Sequence, residues 1–307
     1  MWRDGDAWGG FGVQAGAAQM LPIYLLASST AFAGRMSESD AGRRRHMQED
    51  MPAARSFMQK SPRLRYGKFN RVTSPDRTEA TALMAANALR RGVAGDFVEA
   101  GVYYGASSIL MMHALLISNT SEKRLLWACD SFQGLPRTSA IDLSAELNCT
   151  RKLAGGQMCW RSETGFAGAY RAGQNQFEVN MKINMPSDPA VAWEKRLRVV
   201  KGWFNATLPA AGMKNLSFIR IDGDLYASTR DVLARLYPLL SEGGLVYVDD
   251  YGSFGGCGKA VDDFLESRGC GEQISPIWER SRREGGWLKD NVTQGFEAVW
   301  WEKRSCS

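Results

Sequence analysis

Two acidic sequences follow apolar runs in the second half of the chain. Asp222-Gly223-Asp224 comes directly after LSFIRI, and Asp249-Asp250 directly after LVYV. If these runs are neighbouring strands, their ends lie about 4.8 Å apart, and three or four carboxylates converge. Ionised carboxylates that close repel one another, which raises their pKa values. A divalent cation resolves the conflict, and Mg2+ suits a few hard carboxylate oxygens with water completing its shell. The competing reading is a set of solvated turn acids that also cap helices.

A second constellation lies upstream, in Glu99-Ala-Gly101-Val-Tyr-Tyr-Gly105. Glycines after a strand let backbone N–H groups approach a ligand, and the N-terminus of the next helix favours an anionic group. The spacing is not GxGxxG, so a dinucleotide pyrophosphate is not indicated, which disfavours a nicotinamide-dependent oxidoreductase. The next apolar run ends at Asp130, where an acid can accept both hydroxyls of an adenosine ribose; a helix cap is the alternative. Turn and acid together point to an adenosine-containing ligand. The chain has only two histidines, His46 and His113. His113 falls on the apolar face of a helical pattern and reads as structural, which disfavours histidine acid/base catalysis.

Strands and helices alternate from residue 75 onward. Ser74-Pro75 opens a helix with Pro at its first position, and Gly92 and Gly95 end it. Strands are expected at 96–100, 125–129, 197–200, 216–221, 245–248, 274–278 and 296–301. A helix opens at Ser107/Ser108, and Ser228-Thr-Arg-Asp231 reads as a capping box for another. Short apolar strands separated by amphipathic helices predict a doubly wound, mostly parallel seven-stranded α/β sheet, with its ligand crevice at the strand carboxyl ends. Tyr104, Trp203, Tyr226 and Tyr251 adjoin those ends and are candidates to shape an acceptor pocket.

Around this domain lie two less regular stretches. Residues 1–62 read as a leader. Its segment 20–33 ends in Ala31-Phe32-Ala33, which is either a signal-peptidase site or part of a disordered extension. Residues 137–172 are Gly-rich and too long for an ordinary connection, as expected of a lid-like insertion. The folded domain proper is thus expected at 63–307. Hydrophobic residues at 44% and charged ones at 23% exclude a disordered polyampholyte. The net charge of +5 is spread along the chain and calls for no nucleic acid. No apolar run is long enough for a transmembrane helix. Sequons at Asn119, Asn148, Asn205, Asn215 and Asn291 suggest a secretory-pathway lumen, in which Cys149/Cys159 and Cys257/Cys270 could form bridges. Asn205 and Asn215 flank core and site segments, which leaves the cytoplasm open as the alternative.

The ordered motifs GDFVEAGVYYGASSILM, WACDSFQGLP, VKGWFNATLP, IRIDGDLYAST and VYVDDYGSFGGCGKAVDDF resemble the macrocin O-methyltransferase (TylF/MycF-like) family. The resemblance implies that 63–307 is a class I, Rossmann-like methyltransferase domain. It would use S-adenosylmethionine and Mg2+ to methylate a hydroxyl of a sugar or glycosylated small molecule. The resemblance also implies Glu99, Gly101 and Gly105 on the methionine side of the cofactor, and Asp130 with Ser131 on the ribose side. Asp222, Asp249 and Asp250 match the metal-binding acids; by its position, Asp222 is the expected proton acceptor. A homodimer is expected by the same analogy. The alternative is a non-catalytic binding protein on a retained methyltransferase fold.

Overall fold

The computed structural model describes residues 73–118, 123–147, 167–280 and 294–306. The leader and its segment 20–33, the core of the insertion, Cys149, Cys159 and the sequons at Asn119, Asn148 and Asn291 lie outside them.

The described elements run α1 (Pro75–Arg90), β1 (Asp96–Ala100), α2 (Ala106–Ile117), β2 (Leu126–Asp130), α3 (Ala140–Leu147), α4 (Gln174–Asn184), β3 (Leu197–Lys201), the single turn α5 (Phe204–Thr207), β4 (Leu216–Ile221), α6 (Tyr226–Leu236), β5 (Leu240–Val248), α7 (Gly255–Arg268), β6 (Ser275–Arg280) and β7 (Gln294–Glu302). The seven strands form one sheet in the order β3-β2-β1-β4-β5-β7-β6. The first five are parallel, and β7 runs antiparallel to both β5 and β6. The doubly wound, mostly parallel sheet is as expected.

Alternating residues of each central strand enter two separate cores. Phe97, Phe218 and Tyr247 pack with Leu83 and Met84 of α1, Ile109 and Met112 of α2 and Phe177 of α4. Val98, Ile219 and Val246 pack on the other face with Val232 and Leu236 of α6 and Val261 of α7. Both faces are covered, so the strands are apolar throughout rather than alternating. No helix among the described residues is long and apolar enough to cross a membrane.

Three local expectations change. Helix α2 begins at Ala106 behind Gly105, whose φ of +91° gives the left-handed turn. Ser108 is no cap: its hydroxyl donates to the Glu99 carboxylate. Helix α6 begins at Tyr226, ahead of the supposed capping box, and Leu225 at its N-cap offers no side-chain bond. Its first amide is capped from elsewhere, by Asp142 Oδ1 at 2.7 Å. The 137–172 stretch is also partly regular. It opens with α3, where Ser139 and Asp142 cap one another reciprocally.

Candidate active site

The chain departs in opposite directions from β1 and β4, the two strands at the switch point of the sheet. Their ends are bound together: the Asp222 amide donates to the Ala100 carbonyl at 2.8 Å. Gly101 has φ of +93°, and a Cβ there would run into the Asp222 carbonyl oxygen. Only glycine permits this approach. A cavity of about 260 Å³ opens above, lined by Gly101, Asp130 and Ser131 together with Asp222, Asp224, Asp249 and Asp250.

At the glycine turn the polar groups are paired. Asp130 Oδ2 accepts the Val102 and Tyr103 amides at 2.8 and 3.2 Å, and its Oδ1 accepts the Phe132 amide at 2.7 Å. The Ser131 hydroxyl accepts the Gln133 amide and donates to the Gly134 carbonyl. Two residues assigned here by resemblance stand back from the cavity lining. Gly105 leaves room for the Phe177 ring. Glu99 is buried beneath the turn, held by Ser108 and by Arg220 Nη1 at 3.1 Å. Burial pushes its carboxyl up to about 8, against the pull of Arg220.

At the acid end the carboxylates divide into two kinds. Asp249 is paired: Oδ1 accepts from Arg220 Nη2 and the Tyr247 hydroxyl, both at 2.9 Å, and Oδ2 from Arg77 Nη1 at 2.8 Å. Burial works against its charge, but the two guanidinium groups hold its pKa below the usual carboxylate value. Asp222, Asp224 and Asp250 instead bring carboxylate oxygens within 4.8 Å of one another. Asp222 is tied to Arg220 Nη1 at 2.6 Å. Asp250 Oδ1 accepts the Ser253 hydroxyl at 3.1 Å, whereas its buried Oδ2 has no hydrogen-bond partner. Burial, then the neighbouring carboxylates, raises Asp250 well above its ordinary range. Burial raises Asp224 to about 7.

The resemblance implies Asp222, Asp249 and Asp250 as metal-binding acids; the carboxylate oxygens that lie together are those of Asp222, Asp224 and Asp250. Asp222 and Asp250 belong to both sets. Two basic residues escaped the sequence reading. Arg220 gave a signal, being a charge inside the apolar run LSFIRI. Burial opposes its charge, but Asp249, Asp222 and Glu99 outweigh that and raise its pKa. Arg77, which also pairs with Glu297 at 3.0 Å, gave none.

The cavity walls are aromatic. Trp203 lines it, as expected, with Tyr103, Tyr170, Phe204 and Phe254. The other three aromatic candidates are used elsewhere: Tyr104 packs on Tyr103, Tyr226 bonds to Asp263 and Tyr251 to Asp262. Tyr103, Tyr170 and Asp224 have φ of +48°, +54° and +57°. Such conformations are uncommon outside glycine and concentrate where surrounding structure enforces them. His113 is structural, its Nε2 donating to the Asn184 carbonyl at 2.9 Å. Asn205 is exposed and lines the cavity; Asn215 is exposed before β4. The suggested Cys257/Cys270 pair does not form. Cys257 is buried in α7, and Cys270 is bonded to Cys306.

The family model described as Macrocin-O-methyltransferase (TylF) matches residues 28–155 and 192–281. The chain belongs to the macrocin O-methyltransferase family. Among curated members it is 35% identical over 189 residues to the 8-demethyl-8-(2,3-dimethoxy-alpha-L-rhamnosyl)-tetracenomycin-C 4'-O-methyltransferase of Streptomyces olivaceus, covering 62% of this chain and 65% of that one. It is 30% identical over 212 residues to the mycinamicin III 3''-O-methyltransferase of Micromonospora griseorubida, covering 64% and 72%. The chain thus spans slightly under two thirds of the first relative and somewhat more of the second. Among solved structures, the O-methyltransferase NovP is 28% identical with a TM-score of 0.56, over 75% of this chain and 80% of that one. The calicheamicin methyltransferase CalS11 shares the fold at 16% identity and a TM-score of 0.50, over 90% and 98%.

Proposed function

We propose that this macrocin O-methyltransferase family member transfers the methyl group of S-adenosylmethionine to a hydroxyl of a sugar or glycosylated small molecule. A divalent cation, Mg2+, would serve the acid end of the cavity. The reading rests above all on Asp250 Oδ2, a buried carboxylate oxygen without a partner beside two further carboxylates. Burying such a group unpaired is costly, and a cation with hard oxygen ligands removes the cost. Asp222, Asp224 and Asp250 would hold it, with Asp249 supporting them from behind through Arg220 and Arg77. The acceptor class follows from the relatives' names, which include a rhamnosyl-tetracenomycin C.

S-adenosylmethionine supplies a methyl group already activated on sulfur, and the cation supplies Lewis acidity that eases loss of the acceptor's proton. The protein's own part is positioning. Asp130 fixes the Val102, Tyr103 and Phe132 amides and retains about one acceptor position for a ribose hydroxyl. Gly101 lets the ends of β1 and β4 meet beneath the cavity, because only glycine tolerates the approach of the Asp222 carbonyl. Tyr103, Tyr170 and Trp203 offer aromatic surface to a ligand in the cavity. The acceptor proton goes to a carboxylate of the loop after β4. Asp222, singled out by sequence, is anchored by Arg220.

Calorimetry tests the cofactor assignment. S-adenosylmethionine is expected to bind the folded protein and NAD not to; no heat with S-adenosylmethionine overturns the reading. Methyl transfer to a panel of sugars and glycosides, run with Mg2+ and again with excess EDTA, tests acceptor class and cation together.

A further inference from the structure

We infer that Asp142, from the insertion rather than from the cavity, is a positioning residue that sets the spacing between the two acid loops. Its side chain is 1% exposed, although it springs from a short helix beside residues outside the described structure. The carboxylate meets the N-termini of three helices at once. Within α3, Oδ2 accepts the Ser139 amide at 2.8 Å and the Ser139 hydroxyl at 2.6 Å. At α6, Oδ1 accepts the Tyr226 amide at 2.7 Å. At α7, Oδ1 occupies the space where Gly256 lacks a side chain, and a Cβ there would collide with it. One anion thus answers unpaired amides and the positive ends of converging helices.

Two of those helices are the direct continuations of the acid loops. Helix α6 starts one residue after Leu225, the neighbour of Asp224, and α7 starts shortly after Asp250, whose carbonyl accepts the Phe254 amide at 3.0 Å. Asp224 keeps its left-handed φ of +57° only while the start of α6 is held in place. Asp142 is the side chain that holds it. The same segment, just before α3, contributes Gly134, Leu135 and Pro136 to the cavity wall. The start of the insertion is therefore tied through the Asp142 carboxylate to the helices that follow both acid loops.

This inference rests on the proposed cation site, and its test separates the two. Mn2+ affinity and S-adenosylmethionine affinity are measured by calorimetry, and hydrogen–deuterium exchange is followed over residues 222–229, in the full chain and in three variants. Asp142→Ala is expected to weaken Mn2+ binding about tenfold and to lower kcat by up to about a hundredfold, the scale of a misplaced reacting group. Exchange at Tyr226 and the amides after it accelerates, while S-adenosylmethionine affinity stays within twofold. Gly256→Ala, which displaces the carboxylate without altering it, gives the same pattern. Ser139→Ala, which leaves the Tyr226 bond in place, gives a smaller one. A role confined to stability would lower the melting temperature but leave Mn2+ affinity of the folded protein unchanged, and that result overturns the inference. If the wild type binds no Mn2+, the cation reading fails. The inference is then decided by exchange over 222–229, and unchanged exchange in both Asp142→Ala and Gly256→Ala rejects it.

Discussion

At the glycine turn, the Asp130 carboxylate accepts three backbone amides before any ligand arrives. Across the same cavity, Asp250 Oδ2 accepts nothing and faces two more carboxylates. The first end is a surface whose polar groups are largely answered by its own chain. The second is an arrangement that its own chain leaves electrostatically unbalanced, even with Arg220 and Arg77 close behind. Those two cations are committed to Asp249, Asp222 and Glu99, and Arg77 lies 3.8 Å from Asp250 Oδ1. One end is thus built to receive a ligand by shape and hydrogen bonding, the other by charge.

The contrast is broken most severely at Asp250. Asp250→Asn is expected to cost methyl transfer at least about a thousandfold, as for loss of an electrostatic stabiliser in a water-poor site. It should also leave the cation-free protein as stable or more so, because repulsion is relieved. A melting temperature that falls sharply would show Asp250 to be a structural acid instead. Gly101→Ala attacks the seam between the ends. Its positive φ and the collision with the Asp222 carbonyl predict a loss of more than about 2 kcal/mol in denaturant titrations.

A milder effect is expected at the glycine turn. Asp130→Asn places an amide donor against backbone donors, at a cost of about 1.5–3 kcal/mol for hydrogen bonds to a charged acceptor. It should weaken S-adenosylmethionine while leaving Mn2+ affinity alone. Equal losses of both would mean that the two ends are not separable. The smallest effect is a pH dependence. Asp224 has its pKa raised from 3.8 to about 7 by burial, so the folded state retains a proton that the unfolded state has lost. Stability without cation should therefore fall as pH rises from about 4 to about 7 and then level off. Saturating Mg2+ should flatten that fall, and chemical denaturation at several pH values measures it.

Much of this was legible in the sequence because local patterns carried it. Strands β1 and β4 occupy the expected residues, and β2 is shifted by one residue, to Leu126–Asp130. Strand β5 starts five residues earlier than the apolar run suggests. The backbone of Gly243 and Gly244 pairs with Lys303, 60 and 59 residues away in the chain. The start of α6 differs from the Ser228–Asp231 reading for the same reason, since its cap comes from a residue 84 positions distant. The role of Asp249 was beyond local reading, because Arg77 is 172 residues away. What escaped was charge compensation across the fold, which leaves no spacing to recognise.

The Cys270–Cys306 bond has a consequence of a different kind. It closes a loop of 36 residues that contains β6 and β7, the hairpin forming one margin of the sheet. Closing a loop of that length is worth about 4 kcal/mol in the chain-entropy account. The covalent hem is on the far side of β5 from the glycine turn, so a thiol reductant should slacken the margin first and leave catalysis largely intact. Durability and turnover would then answer to different features of the chain's surroundings, the one to redox conditions and the other to cations.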